Sequence, residues 1–322
     1  MSYILAADVG ATKVLLQASD TTKNLVLAEK RYLSADFPSL TALIETFQSE
    51  FDLPAIDAAC LGLPGPVKSR RAELTNLPWT VDADALETLC GIDRVDIIND
   101  FYAAALGVDD LQPDDLVCLQ EGQYDITGNR LVVGAGSGLG VAPVKNCNGA
   151  FIPQPSEGGH ADFAPVNNEQ DDILAWLRKK WPHVSYERLL SGEGLETLYF
   201  FYSIQAHGHG KRGINAAEIH QAALDGEQIA VQTLDTFVEI YGAYIGNAAL
   251  IWEPQAGIFV AGGIAPKIQD WMTQPRFIHA FLNKGRMKKI VETFPIYLVV
   301  NESVGLLGAI RHARSLLNAH PE

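Results

Sequence analysis

The sequence has few cysteines and no excess of basic residues, and both deficits exclude classes of protein. Its four cysteines form no C-x-x-C pair and lie far apart, at positions 60, 90, 118 and 147. This pattern is typical of reduced thiols rather than of a disulfide framework or a zinc site. The 322 residues include 24 Lys and Arg against 39 Asp and Glu, which gives a formal net charge of -15. We therefore expect no nucleic-acid partner and no anionic-membrane surface, because both need basic patches.

Long apolar runs and a basic leader are also missing. The most apolar long stretch, residues 240–266, contains Glu253, Pro254 and several glycines, and it indicates a buried helix followed by a strand rather than a membrane span. The N-terminus, MSYILAADVG, has no basic segment and reaches Asp8 within a few residues, so no signal peptide is expected. These absences predict a cytoplasmic protein that does not bind membranes.

Three common nucleotide-binding signatures are absent. The sequence has no G-x-x-x-x-G-K-[ST] P-loop and no H-R-D and D-F-G pair of the protein kinases. Residues 132–143, VVGAGSGLGVAP, are glycine-rich, but their spacing is G-x-G-x-G-x-G and Pro143 would disrupt a helix begun here. This turn is therefore predicted to join two strands, which disfavours a Rossmann site.

What is present are two α/β regions that begin in the same way. Residues 3–19 and 130–144 each consist of an apolar run, a glycine turn and a second apolar run, the pattern of a hairpin. The acidic segment 107–116, which contains Pro113, is a candidate boundary between them. Two such lobes form a cleft that can hold a nucleotide and a substrate.

Helical spacing of apolar residues predicts the main helices. Residues 37–51 fit a helix with Ser39 as its N-cap, and Glu187 is expected in the first turn of a helix capped by Ser185, where it would complement the helix dipole. Further helices are predicted around the ranges 170–181, 185–202, 216–224, 227–252 and 305–317.

Three glycine turns follow apolar runs, at residues 8–12, 134–140 and 260–266. Each alone is weak evidence because glycine is common in turns, but together they can surround a triphosphate. Asp8 ends the strand before the first turn, where its carboxylate could hold Mg²⁺ directly or through water.

Two polar groups outside these turns have both a structural and a functional interpretation. Asn99 and Asp100 end an apolar strand before a helix-like run, where either can be an N-cap, and Asp100 can also receive a proton from an attacking hydroxyl. Glu157 and His160 stand in a tight glycine loop. They either meet only solvent or bind adjacent hydroxyls of a polyhydroxyl ligand.

Seven motifs, in this order, resemble those of bacterial glucokinases, members of the hexokinase and actin-like ATPase superfamily: AADVGATK, INDFYAAALG, VGAGSGLGVA, PSEGGHADFAP, YERLLSG, FVAGGIAP and VGLLGA. The resemblance implies an α/β fold with two ribonuclease-H-like (actin-like ATPase) lobes and an interlobe cleft that closes on the sugar. The small lobe would comprise residues 1–110 plus 301–322, and the large lobe residues 111–300.

The resemblance also assigns expected roles by position. Asp100 matches the catalytic base. The positions that match glucose-binding residues are Asn99, Asp100, Glu157, His160 and Glu187. The positions that match the nucleotide site are Asp8, Val9, Gly10, Ala11 and Thr12 in the first phosphate turn, Gly136, Ser137 and Gly138 in the second, and Gly262 and Gly263 beneath the nucleoside.

The implied function is ATP-dependent phosphorylation of D-glucose at its 6-hydroxyl, with ATP and Mg²⁺ bound and with a homodimer expected. Alternatives are a kinase for another hexose or an amino sugar, a different phosphoryl donor, and a non-catalytic sugar-binding regulator on the same fold. The first turn reads GATK where this group usually has G-G-T-N, which bears on sugar selectivity more than on the reaction.

Overall fold

A computed structural model describes residues 2–74, 77–210 and 213–318. The chain forms two compact units: unit 1 comprises residues 1–112 and 301–322, and unit 2 comprises residues 113–300. Within the described ranges, none of the helices combines the length and apolarity needed to span a bilayer. All four cysteines lie in these ranges and none is paired.

Strands and helices are numbered along the chain. The strands are β1 (Tyr3–Val9), β2 (Lys13–Asp20), β3 (Leu25–Leu33), β4 (Ala58–Leu63), β5 (Arg71–Glu73), β6 (Thr80–Asp82), β7 (Val95–Asn99), β8 (Leu116–Gln120), β9 (Arg130–Ala135), β10 (Leu139–Cys147), β11 (Ala150–Pro153), β12 (Ile258–Ala261) and β13 (Ile296–Val299). The helices are α1 (Leu40–Glu50), α2 (Ala83–Cys90), α3 (Asp100–Gly107), α4 (Asn168–Leu177), α5 (Gly192–His207), α6 (Ala216–Leu224), α7 (Gln228–Trp252), α8 (Gln269–Met272), α9 (Pro275–Leu282), α10 (Lys288–Val291) and α11 (Val304–Asn318).

Unit 1 is built on a sheet with the strand order β3-β2-β1-β4-β7. The predicted hairpin β1–β2 is confirmed, and β1, β4 and β7 run parallel. Alternate residues of β1 enter two cores: Leu5 packs with the residues of α1 and α2, whereas Ile4 and Ala6 pack with those of α3 and α11. Asp8 is two residues beyond Ala6 on β1, so its side chain lies on the same face of the sheet as Ile4 and Ala6, the face covered by α3 and α11.

Helices α3 and α11 pack with almost no space between their backbones. A Cβ on Gly308 would overlap the carbonyl oxygen of Ala103, and a Cβ on Gly107 would overlap that of Val304. Only glycine permits this approach, and it brings the first turn of α11 close to the end of β1.

We expect Gly308→Ala to lower the free energy of unfolding by about 1–3 kcal/mol, because the added methyl group forces the two helices apart. Ser315→Ala, at an exposed position of the same helix, is the control, with an expected change within about 0.5 kcal/mol. Urea unfolding of the purified variants measures both values. Equal stability of the Gly308 variant and wild type would show that the close helix contact is not required.

Unit 2 contains a sheet with the strand order β11-β10-β9-β12-β13-β8. The predicted hairpin β9–β10 is confirmed, and Pro143 lies within β10 rather than in a helix. Strand β12 runs parallel to β9, so the carboxyl ends of both strands reach the same edge. The long helix α7 supplies Phe237 and Tyr241 to the core of this unit.

Ser39 caps α1 as predicted, but the predicted helix at 185–202 is wrong at its start. The Oγ of Ser39 accepts the N–H of Ala42. Residues 186–188 instead form a short 3-10 turn in which Ser185 makes no side-chain cap, and α5 begins at Gly192 with Ser191 as its N-cap. Bridging of Ser185 to Asp162 draws this backbone toward the neighbouring loop and out of the helix.

Candidate active site

The polar groups of unit 1 lie at the carboxyl ends of neighbouring parallel strands. Asp8 of β1 is paired with Gly62 of β4, and the next residue of β4 is paired with Asn99, the last residue of β7. The parallel register therefore places Asp8, Asn99 and Asp100 at one edge of the sheet. A Cβ on Gly62 would lie 3.3 Å from the Ala103 Cβ, so this glycine allows the start of α3 to approach β4.

Asn99, not Asp100, is the N-cap of α3. Its Oδ1 accepts the N–H groups of Phe101 and Tyr102 at 3.0 and 3.1 Å, and its Nδ2 donates to the Gly65 carbonyl and to Asp100 Oδ1 at 3.2 and 3.0 Å. The capping interpretation therefore holds for Asn99, and Asp100 is the first residue of α3.

One oxygen of Asp100 is fixed by hydrogen bonds from its neighbours. The Phe101 N–H and the Asn99 Nδ2 both donate to Oδ1, at 2.9 and 3.0 Å. Among the described residues none donates a hydrogen bond to Oδ2. Burial, and then the charge of Asp8, raise the pKa of Asp100 from 3.8 to about 6. The side chain is thus a held carboxylate with a free oxygen and more than ordinary basicity.

Asp8 is a second part-buried carboxylate with few partners. Burial raises its pKa to about 6, against the opposing charge of Arg31. A Cβ on Gly305 would lie 3.2 Å from each carboxylate oxygen, so α11 begins directly against this group. Over the described ranges, no three His, Cys, Asp or Glu side chains form a group that could hold a metal ion by themselves. One carboxylate fits Mg²⁺, which usually takes one or two protein carboxylates and completes its shell with water and phosphate oxygens.

The first glycine turn joins β1 to β2. The Gly10 N–H donates to the Lys13 carbonyl at 2.8 Å, and the Ser34 Oγ donates to the Gly10 carbonyl at 3.1 Å. Thr12 is exposed, whereas the side chain of Val9 is buried in the core. Val9 can therefore reach a ligand only through its backbone, and Ala11 lies between these positions in the turn.

The other two glycine turns lie side by side in unit 2. Gly136 and Ser137 follow β9, and Gly262 and Gly263 follow β12, at the shared edge of the two strands. Gly262 has a φ of +85°, and a Cβ there would lie 2.6 Å from the Ala135 carbonyl oxygen. Because glycines carry no side chain, the backbone of these turns allows close approach of a nucleotide.

The loop of Glu157 and His160 is a 3-10 turn packed against the start of β10. A Cβ on Gly159 would overlap the Leu139 carbonyl oxygen, so this glycine lets the loop reach the strand. The side chains of Glu157 and His160 are 76% and 56% exposed. Both keep their polar atoms available for a ligand.

Glu187 lies next to this loop. Its Oε1 is 3.8 Å from the Nδ1 of His160, whose Nε2 is 3.9 Å from the Oε2 of Glu157. Its Oε2 accepts the N–H of Leu139 at 2.9 Å. The structure therefore groups Glu157, His160 and Glu187 in unit 2.

Sequence reasoning missed two contributors to these groups. The first is Gly305, which lies beside Asp8. It is the first glycine of the motif VGLLGA, and that motif was the available sequence signal. The second is the Leu139 N–H, a backbone group whose pairing with Glu187 leaves no sequence signal.

Comparison with known proteins identifies the family of the chain. The family model described as Glucokinase matches residues 5–316. A glucokinase of Nostoc punctiforme is 36% identical over 96% of this chain and 98% of its own length.

Two solved structures are similar to the whole chain. The glucokinase from an Antarctic psychrotroph has a TM-score of 0.84 at 31% identity, with 98% of this chain and 99% of that chain covered. A ROK family glucokinase from Streptomyces griseus, in complex with glucose and AMPPNP, has a TM-score of 0.65 at 19% identity, with 98% and 100% covered, and supports the fold alone. The fold is thus the α/β fold of the actin-like ATPases, and the chain belongs to the glucokinase family.

Proposed function

We propose that this protein transfers the γ-phosphoryl group of ATP to the 6-hydroxyl of D-glucose, giving glucose 6-phosphate and ADP. The observation that carries the proposal is Asp100, a carboxylate held through Oδ1, with a free Oδ2 and a raised pKa. Support for glucose as the substrate comes from the membership in the glucokinase family.

Asp100 acts as the general base. Its Oδ2 accepts the proton of the 6-hydroxyl as the sugar oxygen attacks the γ-phosphorus, so that an alkoxide need not form in full. The fixed Oδ1 keeps the carboxylate plane in place during this transfer. Asn99 supports it by donating to Oδ1, and its Nδ2 binds the sugar by exchanging its bond to Gly65 or to Asp100.

The nucleotide is held by the three glycine turns. We assign the phosphates to the backbone of residues 8–12 and 136–138, with the hydroxyls of Thr12 and Ser137, and the nucleoside to Gly262 and Gly263. Asp8 would hold Mg²⁺, directly or through water, and the ion would supply positive charge to the phosphate oxygens.

The sugar hydroxyls are bound by Glu157, His160 and Glu187. Carboxylates accept hydrogen bonds from hydroxyl groups, and an imidazole can donate or accept. The homodimer and the cytoplasmic location remain predictions.

A panel of sugars and donors tests the proposal. Purified protein is assayed with glucose, other hexoses and amino sugars, each with ATP, ADP or polyphosphate. We expect the highest kcat/KM for glucose with ATP. A higher value for another sugar or donor would replace that part of the assignment, and sugar binding without turnover would identify a regulator.

Glu157→Gln should raise the KM for glucose by about 10- to 150-fold, because a charge-assisted hydrogen bond is lost. The KM for ATP should change little. Steady-state kinetics with each substrate varied measures both values. Glu196→Gln, at an exposed position of α5, is the control and should match wild type. Equal increases for both substrates would point to a folding defect instead of a sugar contact.

The pH profile should follow the titration of Asp100. Burial raises the pKa of both Asp100 and the Mg²⁺ ligand Asp8 to about 6, so both carboxylates are protonated below that pH, and kcat/KM at pH 5 should be at most about one tenth of its plateau. Histidine side chains can titrate in the same range, so His160→Asn is the control and should keep this acid limb. Loss of the acid limb in the His160 variant would assign the titration to His160.

A further inference from the structure

Glu187 contacts two segments that the proposed function treats as separate. One carboxylate oxygen, Oε1, lies 3.8 Å from the Nδ1 of His160. His160 belongs to the loop of residues 157–160, which is called the sugar loop below. The other, Oε2, accepts the N–H of Leu139 at 2.9 Å. Leu139 is the residue that directly follows the glycine turn 136–138, so a single side chain joins the sugar loop to that turn.

The carboxylate lies directly on the turn. A Cβ on Gly138 would be 2.5 Å from Oε2 of Glu187, so a larger residue there would displace the carboxylate. The φ of Gly138 is not among the positive values, so an alanine at this position would act through its contact with Glu187 rather than through backbone strain. The carboxylate of Glu187 thus occupies the space that a side chain at position 138 would take.

The segment that carries Glu187 is attached to the turn at a second point. The Gly192 N–H donates to the Gly136 carbonyl at 2.9 Å. Between the two points, the Ser191 Oγ donates to the Glu187 carbonyl at 2.9 Å and also caps α5. Residues 187–192 thus hold both sides of the turn, one by backbone and one by the carboxylate.

The geometry points to Glu187 as a positioning residue for the glycine turn 136–138, in addition to its role as a sugar ligand. Its Oε2 holds the turn in the conformation that binds phosphate, whether or not sugar is present. A sugar that binds Oε1 restricts the same carboxylate and thereby orders the turn further. Sugar and nucleotide then increase each other's affinity, because such a coupling is reciprocal. This inference rests on the proposed function, since it takes the turn as a phosphate site.

Nucleotide affinity in the absence of sugar tests the inference, because a residue that contacts only the sugar cannot alter it. Calorimetric titration of ADP with Mg²⁺ compares wild type with Glu187→Ala, Glu187→Gln and Glu157→Ala. We expect Glu187→Ala to weaken ADP binding about tenfold, through loss of a hydrogen bond to a charged group at the turn. Glu187→Gln keeps an acceptor for the Leu139 N–H and should restore binding to within about twofold. Glu157→Ala should bind ADP as wild type does.

Gly138→Ala provides a second route to the same answer if Glu187→Ala does not fold. Its added Cβ displaces the carboxylate, so ADP binding should weaken as in Glu187→Ala, and the double variant should be no weaker than the weaker single variant. Unchanged ADP affinity in the folded variants would overturn the positioning role and leave the proposed function intact. Absence of ADP binding to wild type would overturn the proposed function and this inference with it.

Discussion

Asp100→Asn should lower kcat by about 10²- to 10⁴-fold, the range for loss of a general base. Asparagine has the same shape and keeps an oxygen for the Phe101 N–H and the Asn99 Nδ2, so folding and sugar binding should persist. It cannot take the proton of the 6-hydroxyl. Steady-state kinetics gives kcat, and calorimetry gives the affinity for glucose.

Asp96→Asn is the matched control for this variant. Asp96 lies on β7, the strand that directly precedes Asp100, and its Oδ2 pairs with the Nε2 of His312 at 2.7 Å instead of serving the site. Its kcat should stay within about twofold of wild type, because no reacting atom is touched. Near-full turnover by Asp100→Asn would reduce Asp100 to a structural role and refute the mechanism.

The same substitution should stabilise the sugar-free protein at neutral pH. Because the pKa of Asp100 is raised from 3.8 to about 6, the folded state holds the proton more tightly than the unfolded state does. The free energy of unfolding of wild type therefore falls as the pH rises from about 4 to about 6, and it stays at the lower value at higher pH. The neutral asparagine avoids this loss and should gain about 1–3 kcal/mol at pH 8. Urea unfolding in EDTA at pH 8 and pH 4 measures the difference, and an equal effect at both values would contradict the assigned cause.

The second large effect is expected for Asp8→Asn. An amide is a much poorer ligand for Mg²⁺ than a carboxylate, so kcat/KM for MgATP should fall by about 10²- to 10³-fold. The dependence on free Mg²⁺ should also shift to higher concentrations. Assays at fixed ATP with varied Mg²⁺ measure both changes.

Asp57→Asn controls for the loss of a carboxylate elsewhere in unit 1. Asp57 accepts the N–H of Tyr3 at 2.6 Å, at the opposite end of β1 from Asp8. Its Mg²⁺ dependence should match that of wild type. An Asp8 variant with unchanged Mg²⁺ dependence would show that the ion, if used, is held by other groups.

Local chemistry made the hairpins and many helix ends predictable. Glycines between apolar runs predicted the hairpins β1–β2 and β9–β10, and Pro143 excluded a helix after the second turn. Ser39 was predicted as a cap because its Oγ needs only the N–H three residues on. Ser185 met the same local rule but failed, since its backbone pairs with Asp162. That pairing depends on a distant segment, which propensity does not encode.

For the candidate site, the sequence likewise predicts residues from local motifs but not the contacts that depend on the fold. The residue types and their motifs identified Asp8, Asp100 and Glu187, but not their partners. Which of Asn99 and Asp100 caps α3 depends on strand register, and both residues suit a cap. The bond from Leu139 to Glu187 spans 48 positions and involves a backbone donor. Such contacts follow only from the packed fold.

Product analysis tests the central claim most directly. Purified wild type and Asp100→Asn are incubated with glucose and MgATP, and the products are followed by ³¹P and ¹³C NMR. We predict that wild type forms ADP and a phosphate ester on the 6-oxygen of glucose, and that the variant forms the same ester at least about 100-fold more slowly. Phosphate on another oxygen, no ester from wild type, or equal rates from the two proteins would contradict the account.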